Sequence, residues 1–400
     1  MKRPILHISI AFASLLVPAV SAGQSSDSAL LTVLHAFEGG TDGNYPEAGL
    51  IHDGSETFYG ASGGDGGQSN QGTIFKISAA GTETILYRFG PVLDGQAPLG
   101  PLVKDQAGNL YGTTLLGGSG GVGTVFKLSK SGEETVLYNF LGGNDGANPR
   151  GGLVRDAMGN LYGTTVQGGG SGCSSIGCGT VFKISPEGAE TILHRFGGAP
   201  DGANPEKGLI ADAAGNLYGT TFVGGVYNYG TIYKLSPNGE EKVLHSFAGP
   251  PNGAYPWGTL HRNATGDLFG TGLAGGTSTL CSPGCGTIFK LSKGGKESTL
   301  HSFSGQADGD QPYGNLVSNK AGDFFGTTFG GGNPACNGGG GCGTVFELST
   351  AGRFTTLHRF AGADGANPYD GLVLDGAGNL YGTTFFGGSD NYGVVFKLTP

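Results

Sequence analysis

The chain has 400 residues, with 22 Lys+Arg against 31 Asp+Glu, 83 glycines and 19 prolines. The acidic balance and the lack of any basic cluster exclude nucleic acid and an anionic membrane surface as partners. So much Gly and Pro would signal disorder if it were aperiodic, but here it recurs with a period and reads as turns.

In chain order, the first feature is a leader. Lys2 and Arg3 precede an apolar stretch from Ile5 to Val20, interrupted by Pro18, and Val20-Ser21-Ala22 fits a small-x-small cleavage site. Residues 1–22 are therefore expected to be a signal peptide cut near Ala22, and residues 23–400 a single domain that is secreted or periplasmic. No later apolar run approaches the roughly 18 residues that cross a bilayer, so no membrane association is expected.

A short β-type segment follows, Thr32–Phe37, and then one motif appears seven times: Thr57-Phe-Tyr-Gly60, Asn109-Leu-Tyr-Gly112, Asn160-Leu-Tyr-Gly163, Asn216-Leu-Tyr-Gly219, Asp267-Leu-Phe-Gly270, Asp323-Phe-Phe-Gly326 and Asn379-Leu-Tyr-Gly382. Spacings of 52, 51, 56, 51, 56 and 56 residues point to a solenoid or propeller. Each period holds four strand signals. In the third copy these are residues 152–156 (a), 160–165 (b), 179–185 (c) and 190–196 (d), all short, rich in β-branched and aromatic residues, and bounded by Gly, Pro, Asn or Asp. Helix is disfavoured because Gly interrupts every candidate window. Three close cysteine pairs lie between strands b and c: Cys173/Cys178, Cys281/Cys285 and Cys336/Cys342. An even count in an exported chain reads as disulfides. Zinc wants four ligands close together, and each loop offers two.

The chain ends on a c-type strand, Val394–Leu398, and so lacks a last d strand, while Thr32–Phe37 is a spare one. Joining them closes a ring and removes the unpaired edges. The fold expected is all-β: a seven-bladed β-propeller with four antiparallel strands per blade, closed by pairing the N-terminal strand d with the C-terminal strand c.

The block Gly-Asn-Leu-Tyr-Gly-Thr-Thr, followed by a Gly-Gly loop and Gly-Thr-Val-Phe-Lys-Leu, resembles the GloVer-type tandem-repeat proteins of bacteria, the choice-of-anchor family, over essentially the whole mature chain. The resemblance implies an exported protein, often with a C-terminal anchoring signal, and brings no catalytic residues. This sequence departs from the pattern by stopping at Thr399-Pro400 without a sorting tail, which points to a released or periplasmic protein. A weaker likeness to NHL-type propellers lies in the Asp-x-x-Gly-Asn turn, as at Asp156–Asn160.

In an antiparallel blade the d–a and b–c connections share one end, and the a–b and c–d turns share the other. The a–b and c–d turns are monotonous, while the b–c loops vary in length and carry every cysteine. Because function tends to sit on variable loops held by a rigid scaffold, the cysteine-bearing face is expected to be the working face.

Asp42, Asp94, Asp145, Asp201, Asp308 and Asp364 recur in the d–a loop, with Asn252 in the fifth copy. They read either as a calcium-binding ring or as Asp-Gly turns, and six near-identical copies favour turns. His35, His194, His245, His301 and His358 share a repeat position with Tyr87 and Tyr138, an interchange that points to outer-strand packing. His52 and His261 stand alone in strand a, with nothing pairing them into a metal site. No metal and no cofactor are assigned. Gly117–Gly121 matches a nucleophile-elbow pattern only formally, since no helix follows.

One position breaks the symmetry, the residue after the d–a proline: Glu47, Leu99, Arg150, Glu206, Trp257, Tyr313 and Tyr369. Its aromatics, with Tyr255 and Tyr45 in the d–a loops and Arg150 beside them, form either an exposed platform for a sugar ring or apolar side chain, or packing between blades. Glu47 and Glu206 are the candidate acid and base of a glycosidase, although their blades are not neighbours. The function expected is a secreted, monomeric, non-catalytic module that binds extracellular glycan or protein. A polysaccharide hydrolase or lyase is the alternative, and a structural envelope component the third reading.

Overall fold

The computed structural model describes residues 29–400 apart from 41, 55, 65–70, 91, 171, 174 and 175. The leader and its cleavage site near Ala22 lie outside the described residues. Short β-branched segments separated by tight Asp–Gly and Pro–Gly turns can form only local hairpins, and that is what each period does. Blade 3 is Val154–Arg155, Leu161–Thr165, Thr180–Ile184 and Glu190–Arg195, antiparallel throughout. Seven such sheets form a seven-bladed β-propeller. The last is completed from the far end of the chain: Leu30–Ala36 pairs antiparallel with Val394–Thr399, with Leu30 opposite Thr399 and Ala36 opposite Val394.

The repeated motif is explained residue by residue. In blade 2, the Asn109 and Tyr111 side chains both donate to Asp105 of the a–b turn, at 2.8 and 3.1 Å. The motif glycine is required because the strand-c aromatic packs flat across it. A Cβ on Gly163 would stand 2.6 Å from the Phe182 ring, and all seven copies meet the equivalent ring as closely. The first Thr ties neighbouring blades: Thr113, Thr164, Thr271, Thr327 and Thr383 each donate to a backbone carbonyl of the next blade. The second pairs within its blade, as Thr165 with Thr180 at 2.8 Å. Blade 5 has Gly272 there, and its Thr287 hydroxyl is left without a partner.

Two features were not foreseen. First, the d–a and b–c loops entering the same blade are hydrogen-bonded to one another. Gly146–Ala147 pairs with Gln167–Gly168, and Gly202–Ala203 with Val223–Gly224. In blade 5, Gly253–Pro256 joins the long strand Leu268–Gly275 as a fifth strand. Second, the innermost strands approach very closely at the axis, where a Cβ on Gly151 would meet the Lys207 backbone at 2.5 Å.

Candidate binding site at the channel mouth

The seven residues that follow the d–a prolines lie four residues ahead of strand a, as Arg150 does before Val154–Arg155. Close axial packing brings six of them, from every blade but the second, into one cluster centred on Arg150. The guanidinium donates to the Tyr369 hydroxyl at 2.8 Å, to Glu47 at 3.3 Å and to Glu206 at 3.4 Å. It also lies 5.1 Å from the Trp257 ring centroid and 5.7 Å from that of Tyr369. Glu47 and Glu206, on blades 1 and 4, thus meet on a single cation although their blades are not neighbours.

The aromatics of neighbouring blades pack on one another. Trp257 is only 7% exposed. It meets Tyr313 edge-on at 5.3 Å, and Tyr313 stacks on Tyr369 at 4.9 Å. Tyr313 and Tyr369 are half-buried and Leu99 is buried. The arc extends through residues that the repeat comparison passed over, the aromatics just after Thr-Thr in blades 4, 6 and 7. Phe222 links Trp257 to Tyr255, Phe329 flanks Tyr313, and Phe385 links Tyr369 to Tyr45. The signal for them was available, since Leu115 and Val166 occupy the same position in blades 2 and 3.

Beside this tier Lys207 Nζ of blade 4 reaches Asp370 Oδ2 of blade 7 at 3.2 Å, with both side chains 4% exposed. The Gly49 amide donates to the same oxygen. The cup lined by the Arg150 cluster thus adjoins a buried ion pair that spans from blade 4 to blade 7.

Its electrostatics are tuned by burial. Burial disfavours the charge on Arg150, but Tyr369, Glu206 and Glu47 outweigh that and raise its pKa. Burial raises Glu206, with Arg150 and Lys207 pulling the other way. Burial likewise raises the Tyr369 phenol, again opposed by Arg150. Tyr369 accepts from Arg150, which leaves its own hydrogen to donate. Trp257 Nε1 is buried and has no hydrogen-bond partner among the described residues. The cup thus holds unspent donors and carboxylate acceptors beside aromatic faces.

The cysteines form three disulfides, Cys173–Cys178, Cys281–Cys285 and Cys336–Cys342. They sit on the same face but at its rim, against Gly198, Gly305 and Gly362 of the following d–a loops. A groove of about 500 Å³ opens there beside Leu280, Ala307 and Pro334. His52 and His261 line grooves elsewhere, with Lys104 and with Phe324 respectively, and belong to neither cluster.

A family model described as the Gloeobacter/Verrucomicrobia repeat matches residues 24–176 and 171–340. The chain belongs to the Gloeobacter/Verrucomicrobia repeat family. No curated protein matches the sequence. Among solved structures, this repeat propeller is similar to two of the extracellular domain of BT4673 from B. thetaiotaomicron. Their TM-scores are 0.58 and 0.56 at 10% identity, covering 91% and 90% of this chain and 39% of the other. The gluconolactonase XC5397 from Xanthomonas campestris aligns at a TM-score of 0.42 and 14% identity, covering 73% of this chain and 82% of that one. At these identities the likeness is one of fold alone. No helix among the described residues is long and apolar enough to cross a membrane. Three disulfides point to an oxidising compartment, extracellular or periplasmic.

Proposed function

We propose that this repeat propeller is an exported, monomeric, non-catalytic binding module that takes a glycan at the channel mouth. One observation carries the reading: an arc of aromatic rings converges on Arg150 and includes a buried indole N–H with nothing to donate to. A buried unpaired donor is costly, and a sugar hydroxyl would satisfy it while the ring's C–H face covers the aromatics. Glu47 and Glu206 would accept from neighbouring hydroxyls. The test is a glycan array with the mature chain and with Trp257→Ala and Tyr313→Ala. Binding lost in both supports the site, and binding unchanged in both removes it.

The enzymatic reading retains one supporting observation, the convergence of Glu47 and Glu206, with Glu206 raised by burial. Arg150 occupies the space between them, where a scissile bond would sit, and this favours binding over cleavage. Reducing-sugar release from a polysaccharide panel, abolished by Glu206→Gln, would reverse the order of the two readings.

A further inference from the structure

We propose that two of the seven blade seams each bind one divalent transition-metal ion: the seam of His35, Asp42 and Glu83, and the seam of His194, Asp201 and Glu241. In each, one imidazole nitrogen and two carboxylate oxygens lie within 4.8 Å of one another. The three groups come from three different places. His35 is on Leu30–Ala36, the strand that closes blade 7; Asp42 is on the crossing loop; and Glu83 opens the outer strand of blade 1, Glu83–Arg88. His194, Asp201 and Glu241 occupy the same places between blades 3 and 4.

Sequence comparison treated the recurrent His and Asp separately, as packing and as turns. The structure joins them, with His35 to Asp42 at 3.2 Å and His194 to Asp201 at 3.1 Å. Each Asp also caps its loop, accepting from the Glu38 or Gly197 amide. What remains unbalanced is the acceptor side. Glu83 Oε1, Glu241 Oε1 and Asp201 Oδ1 are closed off from solvent without a hydrogen-bond donor. Two half-buried carboxylates that meet with an oxygen shielded from solvent are stabilised by a proton or a cation between them.

The other five seams each lack one of the three groups; three of them share the unpartnered glutamate oxygen, at Glu134, Glu190 and Glu297, so it is the complete His–Asp–Glu set that singles out the two proposed seams. Tyr87 and Tyr138 replace His and donate to Asp94 and Asp145 at 2.7 and 3.1 Å. Asn252 replaces Asp beside His245, and Phe354 replaces Glu and stacks on His301 at 3.8 Å. Leu31 stands at the Glu position opposite His358 and Asp364.

The donor set selects the ion. Calcium and magnesium want all-oxygen shells of six or more ligands, whereas one imidazole with two carboxylates suits Zn²⁺ and its neighbours, a water filling the fourth place. Tetrahedral Zn²⁺ with bonds of about 2.0–2.2 Å spaces its donors by roughly 3.4 Å, so atoms within 4.8 Å of one another need contract by at most about 1.4 Å. Ligation requires ionised carboxylates and a free imidazole nitrogen, so affinity should fall as the pH is lowered. At the first seam the ion would clamp the strand that closes the ring.

The experiment is isothermal titration of tag-free, metal-stripped mature chain with Zn²⁺, with Co²⁺ absorption as a report of tetrahedral coordination. Two sites are expected, falling to one in Glu83→Gln or Glu241→Gln and to none in the double variant. These near-isosteric changes should leave the circular dichroism spectrum intact. No saturable binding by the parent, or a stoichiometry unchanged in the double variant, overturns the proposal.

Discussion

Lys207 and Asp370 form the buried ion pair beside the cup, and the structure says what their removal should do. Both side chains are 4% exposed, and the ammonium contacts Asp370 at 3.2 Å. Lys207→Met would leave a buried carboxylate with only the Gly49 and Gly371 amides as donors. Breaking such a pair from one side costs about 3–5 kcal/mol. The two amides place this variant near the lower end, about 3 kcal/mol. Asp370→Leu takes the hydrogen-bonded partner from the ammonium, leaving it the Tyr369 ring at 5.6 Å and the field of Glu206, and belongs in the same range. The double variant removes both charges, and hydrophobic replacement of a whole buried pair is close to neutral. The coupling energy should therefore be about 3 kcal/mol or more. Unfolding entropy of about 2.1 cal/mol/K per residue makes each kcal/mol worth about 1 °C or slightly more in Tm for a chain this long, so the single variants should lose about 4–6 °C. Urea and thermal unfolding of the four proteins measure this. Single variants within about 0.5 kcal/mol of the parent, or a double variant as unstable as the sum of the singles, would refute the reasoning.

Stability should also depend on pH through the repeat glutamates outside the proposed metal seams. Burial first, then Asp94 and Asp145 respectively, push Glu134 and Glu190 up to about 7 from an ordinary 4.5. The folded chain keeps protons that the unfolded chain releases, so stability falls as pH rises from about 4.5 to about 7, then levels. The fall in Tm over that range should shrink in Glu134→Gln/Glu190→Gln; equal slopes would count against it. Tyr255 sits at φ 54°, where Asn148, Asn204 and Asn367 stand in other blades. Tyr255→Asn relieves about 1–2 kcal/mol of left-handed strain and loses about 0.5–1.5 kcal/mol of ring contact. Stability should stay within about 1 kcal/mol while glycan affinity drops. The disulfides close loops with sequence separations of 5, 4 and 6 residues, worth about 2 kcal/mol each on chain entropy. Mild reduction should keep the β-sheet circular dichroism and speed proteolysis of the rim loops. Loss of the spectrum would show that the loops hold the fold.

The architecture was legible because it is written seven times. The Gly-Asn-Leu-Tyr-Gly-Thr-Thr block and its variants fix a turn and an aromatic contact, and in five blades an interblade bond, and the spare strand at Thr32–Phe37 announced closure with Val394–Leu398. The centre of the site was harder to read. Arg150, Glu47, Glu206 and Tyr369 share a repeat position, but only the glycines at positions such as 151 draw the strands close enough for blades 1, 3, 4 and 7 to touch. That radius is a tertiary quantity with no local pattern. The pairing of His35 with Asp42, by contrast, could have been seen. The same seven-residue spacing joins His194 to Asp201 and His301 to Asp308, and reading both positions together would have exposed it.

The chain contains a single tryptophan, and it is Trp257, buried beside a guanidinium at the centre of the cup. Indole fluorescence from this protein therefore comes from one place. Occupancy of the mouth can be followed by emission without any label, and during refolding the same signal reports when the axis assembles, independently of the rim.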